Sequence, residues 1–352
     1  MPFQPFIIHH SSFIIVFKIL IVAPSWIGDT VLAQPLFKLL HARHAGLALD
    51  VFAPRWTLPL LERMPEVRRA IASPFLHGDL KLLERHACGR ELGIEDYDQA
   101  LVLPNTFKSA LVPFFAGIRL RTGYIGEMRH WVLNDARRLD AERLPQIVQR
   151  YAALGLARGE PLRPPLPVLG LRVDEAARRT TMTRLHLDRG RPVAVLCPGA
   201  EFGPAKRWPA RYFAELAQGL AAHGCAVWLV GAQRERQVGA EIEKFAGGVC
   251  RNLCGDTTLA EAIDLISASA LVVSNDSGLM HVAAALGRPL VALYGSSSPA
   301  YTPPHSSNAK ILKLDLPCSP CFKRVCPLGH FNCMMQLTPD RVLAAVDFDR
   351  IS

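Results

Sequence analysis

The chain has 352 residues and a formal net charge of +9, from 40 Lys and Arg against 31 Asp and Glu. At roughly 150 residues per domain, this length predicts two domains and excludes a single small module. Half of the residues are hydrophobic, which excludes a disordered chain, yet no apolar run reaches the roughly 18 to 20 residues of a membrane-spanning helix. The positive charge favours an anionic partner, such as a nucleotide, a phosphorylated sugar, nucleic acid or an acidic membrane surface.

The first residues of the chain lack the basic segment and the cleavage site of a secretory signal. We interpret residues 1–16 as a leader in front of the first strand, arising either from an early start codon or as a flexible tail. Nine cysteines in a chain without such a signal are typical of a reducing compartment, which predicts a cytoplasmic protein.

Short apolar runs alternate with helical patterns along the whole chain. In the first half we predict strands at 18–23, 49–53 and 99–103 and a helix at 30–44. In the second half we predict strands at 193–197, 226–230, 271–274 and 290–294, and helices at 209–223, 234–245, after Thr258 and around 277–286. Apolar strands separated by helices predict an α/β fold with parallel sheets covered on both faces.

Four prolines in residues 159–168 predict a stiff connection rather than a core element. We therefore predict a first Rossmann-like domain at 17–160, a linker at 161–170, a second Rossmann-like domain at 171–337 and a C-terminal helix at 338–352. Two such domains face each other across a central cleft, and ligands bind at the carboxyl ends of their strands.

The strongest phosphate-site candidate follows the strand at 271–274 and opens the next helix. Backbone N–H groups of Ser277, Gly278 and Leu279 are free there and, with the helix dipole, suit a diphosphate. His281 falls on the same face of the first turn. The alternative is that Asp276 is an ordinary helix cap.

Two further loops follow predicted strands. Lys206, in a loop rich in Gly and Pro, is placed to neutralise a leaving diphosphate, or is an ordinary solvated lysine. Asp29, in the equivalent loop of the first domain, is placed to take a proton from a hydroxyl, or caps the first helix. Neither loop contains the glycine pattern of a dinucleotide-binding or P-loop protein.

Four segments together resemble a known family. They are PSWIGDTVLAQP, PGAEFGPAKRWP, SNDSGLMHVAAALGRP and CSPCFKRVCPLGHFNCM, and in this order they are similar to the bacterial ADP-heptose:lipopolysaccharide heptosyltransferases, most of all the heptosyltransferase II branch. The resemblance implies a GT-B fold of two facing Rossmann-like domains. It implies inverting transfer of L-glycero-D-manno-heptose from ADP-heptose to the first heptose of a lipid-linked inner-core lipopolysaccharide acceptor.

The resemblance also implies roles for individual residues. Asp29 matches the general base, and Lys206 matches the residue that stabilises departing ADP. The implied donor-binding residues are Gly199, Lys206, Glu235, Asp276, Ser277, Gly278 and His281. The contact to the ribose falls to Gln233 or Glu235.

An anionic acceptor implies basic residues in the first domain. The implied acceptor-binding residues are Gly28, Lys108 and Arg121, with Arg55 and Arg129 as weaker candidates, and each basic residue has a solvated-surface alternative. The implied setting is the cytoplasmic face of the inner membrane, with peripheral contact to it. Transfer is implied to need no cofactor; the use of Mg²⁺ and the oligomeric state are left open.

Four thiols lie within sixteen residues, with a Cys-x2-Cys-x4-Cys-x6-Cys spacing. Cys318, Cys321, Cys326 and Cys333 are candidate ligands of a structural zinc or iron ion. The alternatives are four reduced thiols or two disulfides.

Two other functions compete with heptose transfer to the first heptose. One is a GT-B enzyme with a different donor or acceptor, such as a heptosyltransferase I-like enzyme or an epimerase. The other is a basic nucleic-acid-binding protein, although the basic residues here are scattered among many acidic ones.

Overall fold

In the computed structural model, residues 16–350 are described except for 77, 188 and 189. Residues 1–15 of the predicted leader therefore lie outside the described residues. Within the described part of the chain, every helix is too short or too polar to cross a bilayer.

The first half of the chain forms one six-stranded parallel sheet with the strand order β3-β2-β1-β4-β5-β6. Its elements are β1 Lys18–Val22, α1 Ile27–Leu32, α2 Gln34–Arg43, β2 Ala48–Pro54, α3 Leu58–Leu61, β3 Arg69–Ser73, α4 Leu82–Gly93, β4 Gln99–Val102, α5 Phe107–Phe115, β5 Leu120–Tyr124, β6 Asp135–Arg137 and α6 Ile147–Leu154.

The second half begins with α7 and forms another parallel sheet, in the order β12-β11-β10-β7-β8-β9. Its elements are α7 Glu175–Arg184, β7 Val193–Cys197, α8 Ala210–Ala222, β8 Ala226–Leu229, α9 Arg236–Phe245, β9 Cys250–Asn252, α10 Leu259–Ser267, β10 Leu271–Asn275, α11 Gly278–Ala285, β11 Leu290–Tyr294, β12 Ala309–Lys313, α12 Asn332–Met335 and α13 Pro339–Leu343. Counted from its own first strand, this order equals that of the first sheet and is the Rossmann order. The predicted pair of parallel Rossmann-like sheets is confirmed.

The central strands are apolar because helices cover both faces of each sheet. All five residues are buried in β7, β10 and β11. In β1, residues Ile19 to Val22 are buried, and Ile19 pairs with Leu49 on one side and Gln99 on the other. These continuous apolar runs are the signal that located the central strands in the sequence.

The predicted helix at 30–44 is wrong in its continuity. Helix α1 ends at Leu32, and α2 begins at Gln34 with Pro35 in its first turn. Proline is tolerated there because the first N–H groups of a helix have no partner within the helix. Asp29 therefore lies in a short helix of six residues, separate from α2.

The connection between the sheets contacts the first half of the chain. The Gln34 side chain donates to the carbonyl of Gly170 at 2.5 Å and accepts from its N–H at 2.9 Å. Lys38 Nζ donates to the carbonyl of Val168 at 2.6 Å. The domain boundaries at 17–160, 161–170, 171–337 and 338–352 stay a prediction, to which these contacts add an anchored connection.

Candidate active site

The three loops singled out above meet where the carboxyl ends of the two sheets approach each other. Asp29 lies in the first turn of α1, just beyond β1. Lys206 ends a short 3₁₀ turn beyond β7, and Asp276 lies between β10 and α11. Parallel strands place all their carboxyl ends at one edge, which is where ligands bind in such sheets.

Helix α1 of the first sheet packs directly on α11 of the second. A Cβ atom on Gly28 would lie 2.7 Å from Cδ2 of His281, and one on Gly278 would lie 2.9 Å from Cβ of Ile27. Two glycines therefore allow the helices to touch. This contact brings the Asp29 loop to the loop of Asp276.

Asp276 forms the centre of a charged cluster. Its Oδ2 atom accepts hydrogen bonds from Lys206 Nζ at 2.5 Å and from Ser297 Oγ at 2.5 Å. Asp276 is 5% exposed, whereas Lys206 is half-buried and lies 5.0 Å from the centre of the Phe202 ring. The cluster holds a cation beside the N-terminus of α11, a place that attracts anions.

The Asp29 carboxylate has no hydrogen-bond partner within the described residues. Burial raises the pKa of Asp29 to about 6; the Lys206 charge lowers it and the Asp276 charge raises it. Burial first, and the Asp29 charge next, raise the pKa of the nearby Tyr151 phenol. An unpaired carboxylate with a pKa close to neutral is suited to general base catalysis.

Helix α11 presents free amides to the same space. Its N-cap is Ser277, whose side chain makes no capping hydrogen bond, so Asp276 is not the cap. His281 is 4% exposed, and its Nδ1 atom has no partner within the described residues. Burial lowers the pKa of His281 to about 4, with Asp276 opposing the shift and Lys206 adding to it. The imidazole is therefore neutral at neutral pH.

Glu235 lies against the loop that follows β7. A Cβ atom on Gly199 would lie 2.9 Å from Cδ of Glu235. The Glu235 carboxylate accepts from the N–H of Ala232 at 2.8 Å and from Nε of Arg234 at 2.8 Å. Gln233 instead directs its side-chain oxygen to Gly255. Of the two ribose candidates, the structure places Glu235 beside the predicted donor loop.

The predicted acceptor residues do not all come together. Lys108 lies in the first turn of α5, beyond the carboxyl end of β4. Arg121 lies near the amino end of β5, where its guanidinium donates to the carbonyls of Val132 at 2.7 Å and Ile118 at 2.5 Å. Arg121 is thus placed at the edge away from Asp29, and its donors are used by the fold.

Arg55 and Arg129, the weaker candidates, differ in exposure. Arg55 is exposed in the turn beyond β2. Arg129 is fully buried and donates to the carbonyls of Tyr124 at 2.6 Å and Pro104 at 2.5 Å. Arg129 therefore binds two loops together instead of facing a ligand.

The metal site predicted on the cysteine cluster is not supported. Cys318, Cys321, Cys326 and Cys333 line one cavity of about 20 Å³. Among the described residues, however, no group of three or more His, Cys, Asp or Glu side chains is arranged to hold a metal ion. All nine cysteines are free thiols, which agrees with the reduced-thiol alternative.

Sequence reasoning missed Ser297 and the two tyrosines near Asp29. Ser297 lies in the loop that follows the carboxyl end of β11, so its position in the run Gly295-Ser-Ser-Ser298 was an available signal. Tyr151 comes from α6 and Tyr301 from the loop before β12. No spacing in the sequence relates these two residues to Asp29, because they meet only in the folded chain.

The carboxyl ends of the two Rossmann-like sheets meet at a site that contains carboxylates, a lysine and free N–H groups of a helix. This arrangement is typical of the GT-B class of sugar-nucleotide enzymes. Residues 85–332 match glycosyltransferase family 9 (heptosyltransferase). The match covers more than half of the chain, and the chain therefore belongs to this family of glycosyltransferases.

Curated relatives and a solved structure agree with this membership. The chain is 48% identical over 337 residues to lipopolysaccharide heptosyltransferase 2 of Escherichia coli K12, covering 93% of this chain and 96% of the relative. It is 47% identical over 335 residues to the Salmonella typhimurium protein of the same name, with the same coverage. The structure of E. coli ADP-heptose LPS heptosyltransferase II matches with a TM-score of 0.83 and 45% identity, covering 93% of this chain and 97% of that one. The predicted GT-B fold and family are confirmed.

Proposed function

We propose that this protein is an inverting glycosyltransferase. It transfers L-glycero-D-manno-heptose from ADP-heptose to the first heptose of the lipopolysaccharide inner core. The observation that carries this proposal is the 48% identity to lipopolysaccharide heptosyltransferase 2 along 93% of the chain. Family membership favours transfer over the epimerase and nucleic-acid-binding alternatives.

The geometry supports a direct displacement at the anomeric carbon. Asp29 takes the proton from the acceptor hydroxyl, and the hydroxyl oxygen forms a bond to the anomeric carbon as the bond to the ADP oxygen breaks. Lys206 and the N–H groups at the start of α11 stabilise the negative charge that develops on ADP. Base and leaving group then act on opposite sides of the sugar, which inverts the anomeric configuration.

In this proposal each of the two domains binds one substrate. The domain at 17–160 binds the acceptor through the region of Gly28 and Lys108, and the domain at 171–337 binds ADP-heptose, with Glu235 on the ribose. The residues at 161–170 link them, and the C-terminal region at 338–352 includes helix α13. In this proposal the enzyme acts in the cytoplasm, in peripheral contact with the inner membrane, where its positive charge suits an anionic lipid surface.

The test is a transfer assay with ADP-heptose and an acceptor that ends in the first inner-core heptose. We expect Asp29→Asn to lower kcat by about 10² to 10⁴, because general base catalysis contributes that much. Lys206→Ala is expected to lower kcat by about 10² to 10³, as loss of one stabilising group does elsewhere. Product is measured by mass spectrometry together with ADP release.

Matched controls come from the far edge of the second sheet. Asp315→Asn changes an aspartate that is 99% exposed, and Lys310→Ala changes an exposed lysine of β12. Both are expected to keep wild-type rates. Rapid turnover by Asp29→Asn would remove that residue as the base. A folded wild-type protein that binds UDP but not ADP would favour a different donor.

A further inference from the structure

The Asp276 carboxylate is held asymmetrically. Its Oδ2 atom receives both Lys206 Nζ and Ser297 Oγ, while Oδ1 has no hydrogen-bond partner within the described residues. Ser297 and Asp276 are each 5% exposed, so neither side chain is held by bulk water. One oxygen is thus anchored by the protein, and the other is left to accept a hydrogen bond from a ligand.

The two donors to Oδ2 have different freedom. Lys206 is half-buried on a short 3₁₀ turn, and its Nζ atom has no other hydrogen-bond partner in the described part of the chain. Its remaining protons are available to a diphosphate, which would draw the ammonium group toward the phosphate oxygens. Ser297 is buried in the loop that follows β11, and its hydroxyl has Asp276 as its acceptor.

We propose that Ser297 is a positioning residue of the donor site, which holds Asp276 in its sugar-binding orientation while Lys206 serves the diphosphate. The inference rests on the proposed function, since it assumes that Asp276 accepts hydroxyl groups of the donor heptose. Without the serine hydroxyl, Asp276 would lose its second anchor when ADP-heptose engages Lys206. The sugar end of the donor then loses a fixed acceptor, whereas the ADP end keeps its contacts.

The proposal is tested by comparing how the Ser297→Ala variant binds ADP-heptose and ADP. Calorimetric titration of Ser297→Ala is expected to weaken ADP-heptose binding about tenfold, the size of one hydrogen bond to a charged group. ADP, which has no heptose, is expected to bind within twofold of wild type. In steady-state assays the variant should raise KM for ADP-heptose and lower kcat, and Ser297→Thr, which keeps the hydroxyl, should restore both.

Ser296→Ala is the matched control. Its hydroxyl is buried beside Ser297 but has no partner within the described residues, so its removal is expected to leave both affinities unchanged. If thermal unfolding shows that Ser297→Ala is not folded, Ser297→Cys replaces it, because a thiol is a weak hydrogen-bond donor of similar shape.

Equal weakening of ADP and ADP-heptose would overturn the proposal, since it would show general damage to the site. Unchanged ADP-heptose binding in Ser297→Ala would overturn it as well. Failure of the proposed function is a separate result, because the wild-type protein itself would then fail to bind ADP-heptose.

Discussion

At the scale of single residues, Asp29 links the structure to a measurable pH dependence. Its pKa is raised to about 6 by burial, with Lys206 lowering and Asp276 raising it. A base must be deprotonated to act, so kcat/KM is expected to fall about tenfold per pH unit below pH 6. Steady-state measurements of kcat/KM between pH 4.5 and 8 test this decrease at acidic pH.

Lys206→Ala provides the internal check on that assignment. Because the Lys206 charge lowers the pKa of Asp29, its removal should move the acidic limb of the residual activity to higher pH. A limb that stays in place in this variant would assign the titration to another group.

The same raised pKa affects stability with a defined sign. Between pH 3.8 and about 6 the folded protein binds more protons at Asp29 than the unfolded chain does. Stability contributed by this site is therefore full at low pH and is lost as pH rises through that window. We expect Asp29→Asn to raise Tm at pH 7.5 and to change it little at pH 3.5, as measured by calorimetry. A higher Tm of equal size at both pH values would contradict the charge-based explanation.

At the residue scale, the sequence can indicate which side chains lie close together only where neighbours in the chain form the candidate site. Asp276, Ser277, Gly278 and His281 follow one strand and open one helix, so their proximity is encoded locally. Ser297 comes to Asp276 across the gap between β10 and β11, and only pairing of those strands brings them together. Such tertiary neighbours leave no periodic signal in a single sequence.

At the scale of elements, the contact of α1 with α11 depends on Gly28, which has no side chain. Gly28→Ala would place a methyl group 2.7 Å from the His281 ring. Overpacking of this kind typically costs about 1 to 3 kcal/mol. We expect a lower Tm and a loss of transfer activity, because the displaced helix contains Asp29.

Gly170→Ala is the control for that substitution, since its new Cβ would meet only the flexible end of Lys38 at 3.5 Å. Adding His281→Ala to Gly28→Ala should recover most of the lost Tm, because it removes the atom that clashes. A double variant as unstable as Gly28→Ala would show that the cost arises elsewhere.

The strands that the sequence did not predict are the four edge strands and the interior strand β5. Strands β3, β6, β9 and β12 are short or partly exposed, and their residues include RAIAS, DAR, CRN and AKILK. An edge strand is covered on fewer sides and needs no continuous apolar run. Strand β5, with the sequence LRTGY, lacks such a run as well. The other central strands have it, which is why they were located to within a residue or two.

At the scale of the whole molecule, a buried ion pair joins the two halves. Arg63, beyond α3, donates to Asp264 of α10 at 2.8 Å, and the Asp264 side chain is 1% exposed. Burial raises the pKa of Asp264 despite the opposing charge of Arg63. Arg63→Met leaves this carboxylate without its partner, which is expected to cost about 3 kcal/mol or more.

Thermal unfolding of three variants separates the pair from its parts. Arg63→Met should lower Tm clearly, whereas Arg63→Met combined with Asp264→Leu should lie close to wild type, because no buried charge remains unpaired. A double variant no more stable than Arg63→Met would show that the arginine acts through packing.

The two sheets share one strand order and are built from consecutive stretches of the chain. Under the proposed function, the gene therefore encodes acceptor recognition in its first part and donor recognition in its second. Mutations that change one specificity need not disturb the other, except where the halves touch, as they do between α1 and α11 and between Arg63 and Asp264. Lineages with altered core sugars are thus expected to diverge mainly in the first part, while the donor-binding part drifts slowly.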